Sequence, residues 1–200
     1  MPPRTAARTP GRLRLASESR HTPLVASSVL GMLIFVATEV MFFAGLISAF
    51  TIIRAETPVW PPPDQPRLPI ERTALNTAAL LLSGVVLAMA HRAYLRDRRT
   101  ARAPLLVAML LGGFFVLFQG AEWISLLRQG LTLTSSSLGS FFYLIVGLHA
   151  LHAVIAIGLL AYAWLRLQRG WLVQSQLVTA EVFWYFVVGL WPVLYGVVYL

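Results

Sequence analysis

The sequence predicts an all-α membrane protein, a bundle of five transmembrane helices with a cytoplasmic N-terminus and an external C-terminus. Of its 200 residues, 58% are hydrophobic and 12% are charged, whereas an average soluble domain is about 25% charged. Five apolar runs each reach the ~20 residues that a helix needs to span a bilayer. Strand-like alternation of apolar and polar residues is absent, so the runs are expected to satisfy their backbone groups as helices.

The five runs follow one another through residues 24–200, which we predict to form a single transmembrane domain. The first and fourth runs are longer than a perpendicular span requires, so we expect those two helices to tilt. The predicted helices cover residues 24–53, 73–94, 104–127, 138–165 and 177–200.

All 16 basic residues are arginines, and their distribution predicts the orientation of the bundle. Residues 1–23 are polar and arginine-rich, and a cytoplasmic tail is favoured there over a transit peptide. This tail and the loops after the second and fourth helices hold twelve arginines, against four on the opposite side. Basic residues accumulate on the cytoplasmic side of membrane proteins. The net charge of +8 is therefore expected to mark topology and not a nucleic-acid surface.

Ligands for redox cofactors are scarce in this chain. It has no cysteine and four histidines, which excludes disulfides, iron–sulfur clusters and thiolate zinc sites. Phosphate-binding glycine loops and Ser/His/Asp arrangements are also absent from the sequence. We therefore expect the chain to hold no haem or metal of its own.

Glu39 is the strongest candidate for a functional residue, because it lies at the centre of the first predicted helix. A carboxyl group at this depth in a bilayer is costly and is by default a candidate site. It could act as a proton-relay acid, or it could contact a lipid headgroup or a partner helix. The structural alternative is a protonated carboxyl group that hydrogen-bonds a neighbouring helix of the bundle.

Two further pairs of polar residues lie three positions apart, so the members of each pair share a helix face. Gln119 and Glu122 lie near the external end of the third helix, where a structural role is favoured. His149 and His152 lie within the fourth helix, where interhelical hydrogen bonding is favoured. The alternative is a metal ion that both histidines share with Glu39 or Glu122.

Two titratable residues near predicted helix ends are given structural roles. Glu181 is expected in the first turn of the fifth helix, where a negative charge complements the helix dipole. His91 is expected at the cytoplasmic end of the second helix, with no chemistry of its own.

Four runs of the sequence carry a resemblance to a known family. They are ATEVMFF (37–43), LNTAALLLSG (75–84), QGAEW (119–123) and GSFFYLIVGLHALHAVIAIG (139–158). In this order and on these helices, they resemble subunit III of the haem–copper oxidases, which are the cytochrome c oxidases and their quinol-oxidase relatives. The last run, with its two histidines, is the most specific. The resemblance covers about residues 24–200 and corresponds to the five-helix form of the family.

The resemblance implies an accessory subunit without cofactors, in an oxidase that reduces O2 to water and pumps protons. Haem and copper would belong to partner subunits, and the expected location is the bacterial inner membrane. The chain would pack against subunit I, bind phospholipid and support sustained proton uptake and O2 access. Glu39 matches the buried glutamate near the lipid-binding cleft of the family. The residues that correspond to its interior polar positions are Asn76, Gln119, Glu122, His149 and His152.

The last helix departs from the family pattern. Relatives commonly read Y-W-H-F-V-D-x-x-W there, whereas residues 183–191 read FWYFVVGLW, so Tyr185 and Val188 replace a histidine and an aspartate. The subfamily is left open, and a quinol oxidase or a nitric-oxide-reductase-type complex is the alternative assembly. The alternative from another class is a stand-alone proton channel or transporter that uses Glu39 and His149.

Overall fold

The computed structural model describes residues 26–57, 70–134 and 136–199. Within these ranges the chain forms five α-helices and no strand, and each helix is long and apolar enough to cross a membrane. The predicted fold of five transmembrane helices is therefore confirmed. The predicted tail, residues 1–23, lies outside the described residues. The helices are α1 (Ser27–Glu56), α2 (Ile70–Arg96), α3 (Arg102–Arg128), α4 (Ser137–Gln168) and α5 (Gln174–Val198).

Most of the helices continue into the polar residues that flank the apolar runs, beyond the limits predicted from hydropathy. α2 begins at Ile70, α4 ends at Gln168 and α5 begins at Gln174, each three residues beyond the predicted limit. Backbone hydrogen bonding continues past the hydrocarbon layer, whereas hydropathy locates only the part embedded in lipid. The earlier start of α5 makes Glu181 the eighth residue of that helix. The prediction that Glu181 lies in the first turn was therefore wrong.

α5 occupies the centre of the bundle. Its backbone lies close to those of α1, α2 and α4, and its side chains also reach α3, whose backbone lies close to those of α2 and α4. Among the described helices, α1 lies close to α4 and α5 only, so it is at one edge of the bundle. The core is rich in aromatic side chains, and the largest fully buried ones are Trp184, Trp191, Phe43, Phe50, Phe115 and Phe142.

Two tryptophans of α5 fix its position against α2 and α3. The Trp184 indole lies so close to Gly112 of α3 that a Cβ at position 112 would overlap the ring. Its Nε1 donates a hydrogen bond to Ser83 Oγ of α2 at 3.2 Å. About two helical turns further along α5, Trp191 Nε1 donates a hydrogen bond to Thr77 Oγ1 of α2 at 2.8 Å. Each indole thus fills the core and also satisfies its buried N–H group.

Candidate functional site

α1 and α4 are joined inside the membrane by one titratable pair, Glu39 and His152. His152 Nε2 lies 3.1 Å from Glu39 Oε2. The other ring nitrogen, Nδ1, lies 2.7 Å from the carbonyl oxygen of Leu148, one turn earlier in α4. The His152 side chain is 11% exposed and the Glu39 side chain is 18% exposed. The sequence pointed to both residues, and the structure brings them together.

The hydrogen bond to Leu148 determines how the pair can hold protons. A carbonyl oxygen only accepts, so Nδ1 of His152 carries a proton and donates it. The contact between Nε2 of His152 and Glu39 then needs one further proton, which can reside on either group. The pair is formally neutral in both arrangements, so it avoids an uncompensated charge in the hydrocarbon layer. Glu39 and His152 therefore share one proton, which either group can hold.

Aromatic rings enclose the pair on the side of the core. The His152 ring meets Phe43 of α1 edge-on at 5.5 Å between centroids, and it meets Phe183 and Phe186 of α5 at 5.9 and 6.1 Å. These three phenyl rings exclude other polar groups from that side of the imidazole. Access to the carboxyl group therefore comes from the outer face of α1.

A second polar cluster, the α2–α3 network, consists of Thr73, Asn76, Gln119, Glu122 and Tyr199. Asn76 Nδ2 donates to the carbonyl oxygen of Phe115 at 3.1 Å and to Gln119 Oε1 at 3.4 Å. Gln119 Nε2 donates to the Tyr199 hydroxyl at 2.9 Å, and Thr73 Oγ1 donates to Glu122 Oε2 at 3.0 Å. Three residues singled out from the sequence, Asn76, Gln119 and Glu122, thus come together here.

The α2–α3 network opens toward one end of the bundle. Glu122 is 7% exposed, and its Oε1 has no hydrogen-bond partner among the described residues. This residue lines a surface cavity of about 320 Å³ together with Arg72, Ser125 and Gln129. Water in that cavity could reach the carboxyl group, so Glu122 has a polar environment that a lipid-facing glutamate lacks.

His149 departs from the expected interhelical hydrogen bonding. It is 1% exposed, and neither ring nitrogen has a hydrogen-bond partner in the described part of the chain. Instead, the imidazole lies against the Trp191 indole, with centroids 5.0 Å apart and planes at 32°, and edge-on to Phe115 at 6.4 Å. Aromatic surroundings offer no acceptor or donor of suitable geometry to this ring.

The two histidines of α4 face different partners, and this bears on the metal alternative. Residues three apart on an α-helix differ by about 60° in direction. That difference turns His152 toward α1 and His149 toward Trp191 and Phe115. Across residues 26–57, 70–134 and 136–199, no three His, Asp or Glu side chains form a group that could hold a metal ion. The shared metal site proposed from spacing therefore has no support in the geometry.

Sequence analysis missed a second titratable pair, which lies between α2 and α5. His91 Nδ1 lies 2.7 Å from Glu181 Oε2. Glu181 is 5% exposed, and its Oε1 has no hydrogen-bond partner among the described residues. The signal was available, because both residues were expected on the same side of the membrane. The helix dipole offered a sufficient explanation for Glu181 by itself.

Tyr185 and Val188, where the last helix departs from the family pattern, form an apolar contact with α2. A Cβ at Gly84 would lie 3.2 Å from Val188 Cγ1 and 3.9 Å from Tyr185 Cε1. Gly84 thus lets the backbone of α2 approach these two side chains closely. Close packing occupies the place where a polar contact was expected from the family pattern.

Comparisons with known proteins agree with this architecture. The family model described as cytochrome c oxidase subunit III matches residues 14–200. Cytochrome c oxidase subunit 3 of Oryctolagus cuniculus and that of Homo sapiens are each 33% identical over 193 residues, and that of Gadus morhua is 34% identical. Each alignment covers 91% of this chain and 73% of the relative. The chain therefore belongs to the cytochrome c oxidase subunit III family and is an integral membrane subunit of a multi-subunit oxidase complex.

Proposed function

We propose that this chain is the cofactor-free accessory subunit of a proton-pumping terminal oxidase. In this role it stabilises subunit I, binds phospholipid and supports sustained proton uptake and O2 access. Haem and copper are held by partner subunits, and the chain itself transfers no electrons. Its N-terminus lies in the cytoplasm, and its membrane is the bacterial inner membrane.

The Glu39–His152 pair is the observation that carries this proposal. Apolar packing alone could attach α1 to α4 and α5, because Phe43 and Phe50 of α1 are buried inside the bundle. Ionisable groups in the hydrocarbon region are costly and are retained where they serve a site. A pair that stores one proton at the edge of the bundle suits a subunit that supplies protons or organises lipid for a neighbour.

The outer surroundings of the pair support contact with lipid or with subunit I. Glu39 is the partly exposed member, and its neighbours Val40, Met41 and Phe42 are large, apolar and exposed. Only 6% of the apolar part of α1 is buried in the isolated chain. A lipid headgroup, an acyl chain or a helix of subunit I can therefore reach the Glu39 carboxyl group from this face.

Two substitutions of Glu39 separate proton storage from lipid binding. Glu39→Gln keeps a hydrogen-bonding side chain but removes the exchangeable acid, whereas Glu39→Ala removes both. In the intact oxidase complex, we expect both variants to assemble and to start turnover at the native rate. Both should inactivate after several-fold fewer turnovers, and Glu39→Ala should also lose phospholipid. The measurements are O2 consumption until inactivation and lipid content per complex.

Glu56→Gln is the matched control, because Glu56 is an exposed glutamate at the end of the same helix. Its catalytic lifetime and lipid content should equal those of the native complex. Native lifetime and lipid content in Glu39→Ala would contradict the proposed role of the pair.

The partner and the electron donor are tested by purification in mild detergent, with an optical spectrum and identification of the co-purifying chains. The proposed assembly gives a haem- and copper-containing subunit I together with cytochrome c oxidation. Quinol oxidation or nitric-oxide reduction by the purified complex would assign the alternative assemblies. Proton flux through the isolated chain in liposomes, abolished in Glu39→Gln, would instead indicate a channel.

A further inference from the structure

Two loops meet at the end of the bundle that the arginine distribution predicts to be cytoplasmic. One follows α2 and the other follows α4, and three hydrogen bonds join these loops and the helix ends beside them. Tyr94 Oη donates to the carbonyl oxygen of Leu172 at 3.1 Å. Trp164 Nε1 donates to the carbonyl oxygen of Arg102 at 3.2 Å, and Arg102 Nη2 donates to that of Gln168 at 3.5 Å. The relative position of the two loops is therefore set by the fold.

Between the loops lies a cavity of about 450 Å³, which we name the arginine groove. It contains four arginines and one carboxylate, Asp97, so its formal charge is +4 − 1 = +3. Leu167 and Leu172 are the apolar side chains that line the cavity. The arginines are Arg98 and Arg99 from the first loop, Arg102 at the start of α3 and Arg169 from the second loop.

The guanidinium groups of this groove form no ion pair with the carboxylates that the structure describes. Asp97 accepts a hydrogen bond from the backbone N–H of Arg99 at 3.0 Å. Among the described residues, the ion pairs within 4.0 Å involve His91 and His152 and none of the four arginines. Nε of Arg102 is buried and has no hydrogen-bond partner in the described part of the chain. The groove therefore concentrates positive charge and leaves a buried donor available to a ligand.

Exposed apolar side chains lie close in sequence to the residues that line the groove. Trp171 of the second loop is 65% exposed, and Leu95 and Leu165 at the ends of α2 and α4 are 59% and 48% exposed. Tryptophan in this setting is typical of the membrane–water interface. The residues of the groove thus have exposed apolar neighbours in the sequence that acyl chains can contact.

We propose that the arginine groove binds the phosphate headgroup of an anionic phospholipid. Guanidinium groups bind phosphate oxygens through paired, charge-assisted hydrogen bonds, and basic pockets between transmembrane helices on the cytoplasmic side bind such headgroups. Arginines from two separate loops surround the phosphate, while the acyl chains follow Leu95 and Leu165. This site shares no residue with the Glu39–His152 pair and does not depend on the role proposed for that pair.

The test replaces one exposed arginine from each loop, as Arg99→Gln with Arg169→Gln, in the full chain within its oxidase complex. The complex is washed in mild detergent and then exchanged into mixtures of phosphatidylglycerol and phosphatidylcholine. Native mass spectrometry counts the lipids that stay bound. At about fivefold in affinity per arginine, the double variant should bind phosphatidylglycerol roughly 25-fold more weakly. Its retention of phosphatidylcholine should equal that of the native complex.

A matched control removes the same formal charge outside the groove, as Arg92→Gln with Arg96→Gln. Both residues are exposed at the end of α2 and do not line the cavity. Their loss should weaken phosphatidylglycerol binding by less than about fivefold. Equal losses in the two double variants would overturn the proposal, because the attraction would then be general surface electrostatics.

Competition with inorganic phosphate separates a lipid from a soluble ligand. Phosphate at moderate concentration should leave bound phosphatidylglycerol in place, because the acyl chains add apolar contact that the free anion lacks. Displacement of the lipid, with equal retention of phosphate by the delipidated complex, would overturn the assignment to a lipid. Full occupation of the groove by a partner subunit's acidic segment, seen in a structure of the complex, would also overturn it.

Discussion

α1 and α5 are both transmembrane helices, yet the protein uses them in opposite ways. In α5, 56% of the apolar segment is buried inside the bundle, against 6% in α1. α1 is nevertheless the more apolar of the two helices. In water the more apolar helix would be the more buried one, but lipid is as apolar as a leucine side chain. The comparison teaches that hydropathy reports insertion into the membrane and says nothing of position within the bundle.

The two helices also differ in what their polar atoms do. The indoles of Trp184 and Trp191 in α5 are fully buried and donate to hydroxyl groups of α2, so they serve packing. In α1 the polar contact is the partly exposed Glu39–His152 pair, in which either group can hold the shared proton. We therefore propose that α5 is the structural axis of the subunit and that α1 is its outward-facing, functional helix. Three sets of substitutions test this division.

The largest effect is expected where α3 meets α5. Gly112→Ala places a Cβ inside the space of the Trp184 indole, and overpacking of a core costs about 1–3 kcal/mol. Thermal unfolding of the complex in detergent should show this loss of stability. Gly113→Ala is the control, because no atom lies within 4 Å of its added Cβ. Equal stability of the two variants would show that α5 is not held as tightly as we propose.

A smaller effect is expected at the contact between α5 and α2. Thr77→Val leaves the buried Nε1 of Trp191 without its acceptor, which costs about 1–2 kcal/mol. In the double variant with Trp191→Phe, the additional effect of Thr77→Val should disappear, because no indole N–H is left to satisfy. Full additivity of the two substitutions would mean that the hydrogen bond does not couple the helices.

The smallest and most discriminating effect concerns the two histidines of α4. His152→Leu removes the partner of Glu39 and should cost about 1 kcal/mol. It should also shorten the catalytic lifetime as Glu39→Gln does. His149→Leu replaces a buried ring that has no hydrogen-bond partner among the described residues, so its effect on stability should be close to zero. A larger loss from His149→Leu than from His152→Leu would reverse the division between the two sides of the bundle.

Sequence analysis was most informative where a polar residue stood alone in an apolar run. Glu39 was identified because a carboxyl group at the centre of a span has no ordinary explanation. Its pairing with His152 was not identified, since the two residues are more than 100 positions apart in the sequence and spacing relates only residues of one helix. The same limit separated Thr73 from Glu122 and His91 from Glu181, whose contacts join different helices.

The sequence by itself determined the number of helices, their order and the membership of the family. It did so because the thickness of the bilayer demands apolar runs of a given length and because the motifs are contiguous. The tertiary structure alone decided that α5 is central and α1 peripheral, that His152 and not His149 meets Glu39, and that two loops form the arginine groove. In lipid every face of these helices is apolar, so the pattern of hydrophobicity does not mark which face is inside. Close packing at small residues and hydrogen bonds between helices make that choice.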